Sequence, residues 1–337
     1  MTLKLALIAS TLIVAGSAAS AKTRLLVNCF WPSSHFVCSE VLPGWIAEVE
    51  RVTEGRVTGN IPPKSVAPPP EQLAAVEKGI VDVSISFNGF LSEAIGPEVA
   101  MLPFVGNYDP ETMSRALWAT NRKFFADEIE NVHLLSQFVI NPGELYSQTD
   151  TPINSIDDLA NRKMWVLPGP LAAITKSLGT GVVSTPAVKS NEIISRGVVD
   201  GHLGLDPQGV QAFQLFPYTK SNTKFEKPLY TTSFSVFANK DKWAEISAED
   251  QAAIMSVSGD VLGAIAGARW KSATDAAVED YAEAGIEVVA ADPAFEQALI
   301  EAAAPVTEDW LKRAGDAGID AQAALDFYRS QVEGAMN

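Results

Sequence analysis

Two cysteines and a histidine lie close together near the start of the chain. Residues of these types at this spacing could bind a metal or form a disulfide. His35 stands between Cys29 and Cys38, which are nine positions apart. A structural zinc site takes about four such ligands, and the remaining histidines, His133 and His202, lie far away in the sequence. We therefore expect no metal here. A disulfide between the cysteines is the favoured interpretation in an exported chain, and two buried free thiols are the alternative.

The sequence offers no other constellation that an enzyme would need. We find no nucleophile elbow, no metal-ligand spacing, and no nucleophile paired with a base. The sequence also lacks the repeats that would favour an adhesion scaffold. We therefore expect a protein that is not an enzyme and needs no cofactor.

The sequence begins with the pattern of an export signal. Residues 1–21 combine Lys4, an apolar run and the small residues Ala19-Ser20-Ala21, which is the order of a secretory signal peptide, and we expect cleavage after about Ala21. The formal charge is −16, and it becomes −17 without the leader, which carries one lysine and no acid. Such a charge argues against nucleic acid as a partner.

The elements that must position any site alternate between strands and helices, as in an α/β fold. The pattern predicts a strand over 23–29, a helix over about 37–53, a helix over 108–130 and a strand over 132–140. Near Asn141-Pro142-Gly143 the chain is predicted to cross to a second lobe, and a strand over 230–238 could return to the first. Residues 247–284 contain no proline, so they predict one long helix of about 55 Å.

The stretch from Ser155 to Pro207 resembles the second lobe of the solute-binding proteins of TRAP transporters, the DctP-like family. In that family a "DLkGlKiR" segment leads to "GvvDG.eNp". Here the first segment includes Asp158-Leu159 and Lys163-Met164-Trp165, and the second begins with Gly197-Val198-Val199-Asp200-Gly201. The "LPF" of the family is matched by Leu102-Pro103-Phe104. The resemblance covers most of the mature chain.

This resemblance implies a periplasmic binding protein with two α/β lobes, each a mixed sheet flanked by helices. Hinge strands and one long helix would span both lobes. We expect residues 22–142 plus about 235–272 to form lobe I, and residues 143–234 plus about 273–337 to form lobe II. The C-terminal part should pack on lobe II as two helices. The implied partner is a TRAP-type membrane permease.

The resemblance also implies where the ligand binds. The family's arginine in the "KiR" strand grips a substrate carboxylate, and Trp165 takes its place here. Glu144 lies near the position of a second family arginine, and Asp206 takes the position of an asparagine in "GvvDG.eNp". Aromatic residues follow two strands of the first lobe. The candidate ligand-binding residues are therefore Phe30, Trp31, Phe87, Asn88, Glu144, Tyr146, Trp165 and Asp206.

Aromatic faces combined with carboxylates form the kind of cage that holds an ammonium group. The favoured ligand is accordingly a small cationic amine, an ethanolamine-like amino alcohol or a methylated ammonium compound. The alternative is an organic acid or a betaine-like zwitterion, held by a relocated cation such as Arg162, Lys163 or Lys189. Any one of the aromatic residues could instead belong to the core.

Overall fold

The computed structural model describes residues 22–91, 94–126 and 128–334, so the predicted leader and its cleavage site lie outside the described residues. The strands are β1 Thr23–Asn28, β2 Val57–Asn60, β3 Val83–Phe87, β4 Val132–Val139, β5 Glu144–Ser147, β6 Lys163–Val166, β7 Gly181–Val183, β8 Gly201–Leu205, β9 Ser221–Lys224, β10 Ser233–Asn239 and β11 Glu287–Ala290. The α-helices are α1 Leu42–Val52, α2 Gln72–Glu77, α3 Pro110–Phe124, α4 Ile156–Ala160, α5 Pro170–Ser177, α6 Ser190–Ile194, α7 Pro207–Ala212, α8 Lys240–Ala244, α9 Ala248–Ser256, α10 Gly259–Glu279, α11 Tyr281–Ala284, α12 Pro293–Asp316 and α13 Ala321–Gly334.

The strands form two separate mixed sheets, and each sheet is the centre of one lobe. The first has the order β2-β1-β3-β10-β4, in which β10 runs antiparallel to both of its neighbours. The second has the order β11-β9-β5-β8-β6-β7, in which β5 runs antiparallel to β8 and β9. Helices flank both sheets, so the predicted two-lobed α/β architecture is confirmed.

The chain passes between the sheets at both places where the sequence predicted crossings, and it passes again between β10 and β11. The first passage joins β4 to β5 and the second joins β9 to β10, and the two meet where Gly143 pairs with Tyr230 in an isolated bridge. Gly143 is needed there because a Cβ atom would lie 2.4 Å from the carbonyl oxygen of Gly204. Two adjacent crossing segments make this the hinge region.

The long helix predicted over 247–284 is bent and interrupted. Helix α9 ends at Ser256, and α10 begins at Gly259, which has a φ of 53°. Between them, the buried Ser258 hydroxyl donates to the carbonyl of Ile254 and accepts from the indole of Trp45. The stretch Ala248–Glu279 is apolar and long enough to cross a membrane by composition alone. In this fold α10 packs on α3 and β4 of the first lobe and on α7 of the second.

The C-terminal helices correct one expectation. Helix α12 begins on the second lobe, where Phe295 packs against Phe225, and it ends on the first, where the indole of Trp310 donates to Ile95. Helix α13 then packs against α3 of the first lobe. With 24 residues, α12 is about 36 Å long, so it carries the chain across both lobes. The predicted assignment of residues from about 273 to 337 to lobe II is therefore wrong for α13.

Candidate ligand-binding site

A cavity of about 60 Å³ lies between the two lobes. Several of its walls follow the carboxyl ends of parallel strands, namely β1, β3, β6 and β8, which is where open α/β sheets usually bind ligands. Most lining residues are aromatic or aliphatic. The lining consists of Phe30, Trp31, His35, Pro69, Phe87, Phe90, Ile140, Leu167, Pro186, Ala187, Val188, Gly204, Leu205, Asp206, Gln208, Gly209, Phe213, Thr232, Phe234 and Trp270.

One wall of the cavity is a short loop closed by a disulfide. Cys29 and Cys38 are bonded, with their Cα atoms 5.7 Å apart, so the disulfide interpretation is confirmed and the free-thiol alternative is not. Within the loop, the rings of Phe30 and Trp31 stack with centroids 3.9 Å apart. Cross-linking fixes the two ends of this loop, which therefore presents its aromatic side chains from a constrained backbone.

The aromatic residues of the cavity contact one another across several elements. Phe234 of β10 packs against Phe87 at the end of β3, with ring centroids 5.9 Å apart, and against Trp31 at 5.1 Å. Trp270 of α10 lies 5.9 Å from Trp31 in an edge-to-face arrangement. Such arrangements are favourable for aromatic pairs. The cavity is thus built on a cluster of aromatic rings in mutual contact, contributed mainly by the first lobe.

Asp206 lines the cavity, but its carboxylate already has partners. It caps the start of α7 by accepting from the backbone N–H of Gly209 at 3.1 Å. It also accepts from the indole of Trp270 at 2.8 Å and from the hydroxyl of Thr274 at 2.9 Å. Burial raises the pKa of Asp206 to about 6, while these three donors act in the opposite direction. The carboxylate therefore ties α7 of the second lobe to α10.

His35 and Gln208 bring polar groups to the cavity from opposite lobes. His35 accepts a hydrogen bond at Nδ1 from the backbone N–H of Val37, at 3.3 Å. Burial lowers the pKa of His35 to about 4, with Gln208 acting against this shift and Arg269 adding to it. Within the described part of the chain, the buried Oε1 atom of Gln208 has no hydrogen-bond partner. Both side chains are therefore placed to receive a polar group of a ligand.

The structure brings four of the eight predicted site residues to this cavity: Phe30, Trp31, Phe87 and Asp206. The other four do not line it. The Trp165 side chain is completely buried in β6, and its indole donates to the hydroxyl of Thr185 at 2.9 Å. Asn88 is also buried and donates to the hydroxyl of Ser233.

Tyr146 and Glu144 both lie in β5, inside the second lobe. The Tyr146 ring stacks on His202 with centroids 4.5 Å apart, and its hydroxyl lies 3.3 Å from that of Tyr281. Burial raises the pKa of Glu144 to about 7, opposed chiefly by Lys224. These residues form a buried polar cluster within the second lobe rather than a wall of the cavity.

Several cavity residues were not identified from the sequence. Phe234 lies in the predicted returning strand, and its apolar alternation was a usable signal. Trp270 gave no such signal, because an aromatic residue in a long helix is most simply a core residue. His35 was considered only as a metal ligand. The further lining residues missed in this way include Phe90, Phe213, Thr232 and Gln208.

The three cations considered as replacements for the family arginine are not among the lining residues of the cavity. The guanidinium of Arg162 bonds to the hydroxyl of Thr149 and to the carbonyl of Thr151. Lys163 and Lys189 are exposed. The titratable side chains among the described lining residues are instead His35 and Asp206.

Comparison with known proteins agrees with this architecture. Over 312 residues, 91% of each chain, the protein is 35% identical to a protein of Comamonas testosteroni named "Outer membrane transporter protein TsaT". A TRAP periplasmic solute-binding protein of Bordetella bronchiseptica, solved with (R)- and (S)-mandelate bound, is 31% identical. It superposes with a TM-score of 0.87 over 93% of this chain and 99% of its own.

A marine metagenome TRAP solute-binding protein, solved with metahydroxyphenylacetate, shares the fold at 23% identity. Its TM-score is 0.84, over 93% of this chain and 99% of its own. Homologues of this kind are periplasmic receptors rather than enzymes, and they bind small molecules and work with a TRAP permease. Residues 27–313 match the family described as bacterial extracellular solute-binding protein, family 7 (DctP). The chain belongs to this family and is a TRAP solute-binding protein.

Proposed function

We propose that this protein captures a small aromatic carboxylate, of the class that includes mandelate, and delivers it to a TRAP permease. The observation that carries the proposal is the interlobe cavity, whose lining is dominated by aromatic rings. The relative with mandelate bound, at 31% identity, supports the same ligand class. This ligand corresponds to the alternative drawn from the sequence, the organic acid, rather than to the favoured cationic amine.

The aromatic end of such a ligand would lie among Phe30, Trp31 and Phe87. Flat rings around a narrow space suit a phenyl group, because offset or edge-to-face contacts add about 0.5 to 1.5 kcal/mol per pair beyond area burial. The disulfide constrains the loop that carries Phe30 and Trp31. A preformed wall lowers the entropy cost of binding.

The polar end of the ligand would face His35, Gln208 and Thr232, which are polar residues of the lining. The Gln208 amide and the Thr232 hydroxyl can both donate to a carboxylate oxygen. Because His35 and Gln208 come from different lobes, a ligand that bonds to both would favour the closed arrangement of the lobes. Contacts made only in the closed state are what drive closure.

The hypothesis of a cationic amine as the ligand depends on two carboxylates, those of Asp206 and Glu144, and neither supports it well. Asp206 accepts hydrogen bonds from Trp270, Thr274 and Gly209, which leaves it less able to bind an ammonium group. Glu144 lies outside the lining. The rings could still attract a cation, so the amine is the competitor that an experiment must exclude.

A thermal-shift experiment with three matched compounds tests the proposal. Mandelate, 1-phenyl-1,2-ethanediol and 2-amino-1-phenylethanol share the phenyl ring and the benzylic hydroxyl, and they end in an acid, a neutral and a cationic group. We expect mandelate to raise the melting temperature of the mature protein most, because a ligand that binds only the folded state stabilises it. A shift with the amine and none with mandelate would overturn the proposal.

A further inference from the structure

Gln208 brings a largely buried carboxamide to the interlobe cavity. The residue is 7% exposed, and it lines the cavity together with His35. The same two residues also line a second, outer cleft with Glu40, Gln211 and Arg269. A ligand in the interlobe cavity therefore lies beside an amide group that is largely shielded from bulk water.

The start of α7 constrains the backbone that carries Gln208. Asp206 caps this helix by accepting from the backbone N–H of Gly209. Pro207 occupies the first helical position, where its fixed φ suits a helix. The Asp206 carboxylate is in turn bonded to the indole of Trp270 in α10. Gln208 thus projects from a helix start that is tied to a neighbouring helix.

The Gln208 carboxamide has unused hydrogen-bonding capacity. Among the described residues, its buried Oε1 atom makes no hydrogen bond of regular geometry. Burial lowers the pKa of His35 to about 4 and Gln208 acts against this shift, so the two side chains are neighbours. A bond from the His35 ring would use only one of the two lone pairs of Oε1. Because a buried acceptor without a partner costs free energy, Oε1 favours a ligand that brings a donor.

A carboxamide presents an acceptor oxygen beside a donor nitrogen. An α-hydroxy acid presents the complementary pair, a hydroxyl donor beside a carboxylate acceptor. The two groups can therefore join through two hydrogen bonds, one from the ligand hydroxyl to Oε1 and one from Nε2–H to the ligand carboxylate. An acid without that hydroxyl would bond to the nitrogen alone and leave the oxygen unpaired.

We infer that Gln208 determines the specificity of the site for aromatic acids that carry a hydroxyl group on the carbon next to the carboxylate. The ligand hydroxyl donates to Oε1 of Gln208, the ligand carboxylate accepts from Nε2, and the ligand ring lies among the aromatic residues of the cavity. This inference rests on the proposed function, because it requires an aromatic acid in the cavity.

Asp206 is a charged acceptor of the same lining, and it is the less suitable partner for the hydroxyl. Its Oδ2 accepts from Trp270 and Thr274, and its Oδ1 accepts from Gly209. In an α-hydroxy acid the hydroxyl and the carboxylate are on neighbouring carbons, so a bond to Asp206 would bring two carboxylates together. Such like-charge contacts disfavour the charged forms. A neutral amide receives the hydroxyl without this repulsion, and we therefore assign the contact to Gln208.

Calorimetric titration of the mature protein with three acids tests the ligand class. Phenylacetate is mandelate without the hydroxyl, and 3-hydroxyphenylacetate is the isomer of mandelate with the hydroxyl on the ring. We expect mandelate to bind about 10- to 100-fold more tightly than either, because the other two leave a buried acceptor unpaired. If phenylacetate or the ring-hydroxylated isomer binds as tightly as mandelate, or more tightly, the inference is overturned and the proposed function stands. No binding of any aromatic acid would overturn both.

Two variants on the same helix locate the contact. Gln208→Met keeps the length of the side chain and removes the amide, so the preference for mandelate over phenylacetate should fall to within about threefold. The matched control is Gln211→Met, because Gln211 lines the outer cleft but not the interlobe cavity and bonds to Asp280. Its preference should equal that of the wild type. An unchanged preference in Gln208→Met would overturn the assignment to Gln208.

A further variant covers the case in which Gln208→Met fails to fold. Gln208→Glu has the same shape, but its negative charge would repel the ligand carboxylate. We expect affinity for mandelate to fall by about tenfold or more, and affinity for neutral 1-phenyl-1,2-ethanediol to fall much less. Equal losses for both compounds would show that the ligand carboxylate does not lie at Gln208 and would overturn the assignment.

Discussion

Similar residues lie in different surroundings in two regions of the molecule. One region is the disulfide loop of the first lobe, and the other is formed by strands β5 and β6 of the second. Phe30 and Trp31 follow the end of β1 and line the cavity, whereas Tyr146 and Trp165 lie within β5 and β6 and are completely buried. Both pairs combine large rings with nearby titratable groups. The difference shows that position relative to the strand end, more than residue type, decides whether an aromatic side chain faces the cleft or the core.

The largest effect that tests this difference should come from Trp165→Ala. Because the indole is completely buried and bonded to Thr185, its loss should lower the free energy of unfolding by about 3 to 5 kcal/mol. Affinity for mandelate should change by less than about threefold, since the energy lost is core packing. Urea unfolding and calorimetry measure the two quantities. If the loss of binding free energy far exceeds the loss of unfolding free energy, Trp165 contacts the ligand and belongs to the site.

Replacing both cysteines by serine should affect stability and binding together. The bridge closes a loop with a sequence separation of nine, and the chain-entropy relation gives a loss of about 3 kcal/mol for a loop of this size. Affinity should fall as well, because Phe30 and Trp31 lie inside the loop. Denaturation and titration of the double variant check this. Unchanged affinity would show that the aromatic wall holds its shape without the cross-link.

Glu144→Gln should change how stability depends on pH. Burial raises the pKa of Glu144 from 4.5 to about 7 in the folded protein, so its contribution to stability is complete at low pH and is lost as the pH rises towards 7 and beyond. The free energy of unfolding of the variant, relative to that of the wild type, should therefore rise by about 2 to 3 kcal/mol from pH 5 to pH 8. Urea unfolding at both pH values measures this.

The wild-type histidines do not obscure the Glu144 comparison. Burial lowers the pKa of His35 to about 4 and that of His202 to about 3, which removes stability as the pH falls below about 6.5. Both histidines are present in the variant as well, so their contribution cancels in the difference. If the free energies of unfolding of variant and wild type differ by the same amount at pH 5 and pH 8, the pKa of Glu144 is not raised in the folded protein.

The smallest effect should come from Phe87→Leu, which removes one ring from the cavity and keeps an apolar side chain. Affinity for mandelate should fall by about 2- to 10-fold, the equivalent of one aromatic contact. The matched control is Phe237→Leu in β10, because Phe237 is buried in a cluster separate from that of Phe87. The control should lose stability and keep its affinity. Equal affinities in both variants would contradict the placement of the phenyl ring beside Phe87.

Much of the fold could be predicted from the sequence because its signals are local. The strand over 132–140, the crossing at Asn141-Pro142-Gly143 and the proline-free helical region after Ser247 all appear close to their predicted places. The interruption at Ser258 was not predicted, because it depends on a bond from Trp45, which is distant in sequence. The reach of α12 across both lobes likewise depends on long-range packing of Trp310.

The site was harder to predict for the same reason. Phe30 and Trp31 follow the end of β1 and Phe87 is the last residue of β3, and all three line the cavity. Asp206 was also placed at the cavity, but the sequence could not reveal that Trp270 and Thr274, more than sixty residues later, occupy its carboxylate. Because these long-range contacts engage the carboxylate of Asp206, they favour an acid over a cation as the ligand.

The most direct test of the central claim is a crystal structure of the protein with mandelate. The account predicts the phenyl ring among Phe30, Trp31 and Phe87, with the carboxylate about 3 Å from Nε2 of His35 or the amide of Gln208. A carboxylate held by an arginine or lysine, or a ligand bound outside the interlobe cavity, would contradict it.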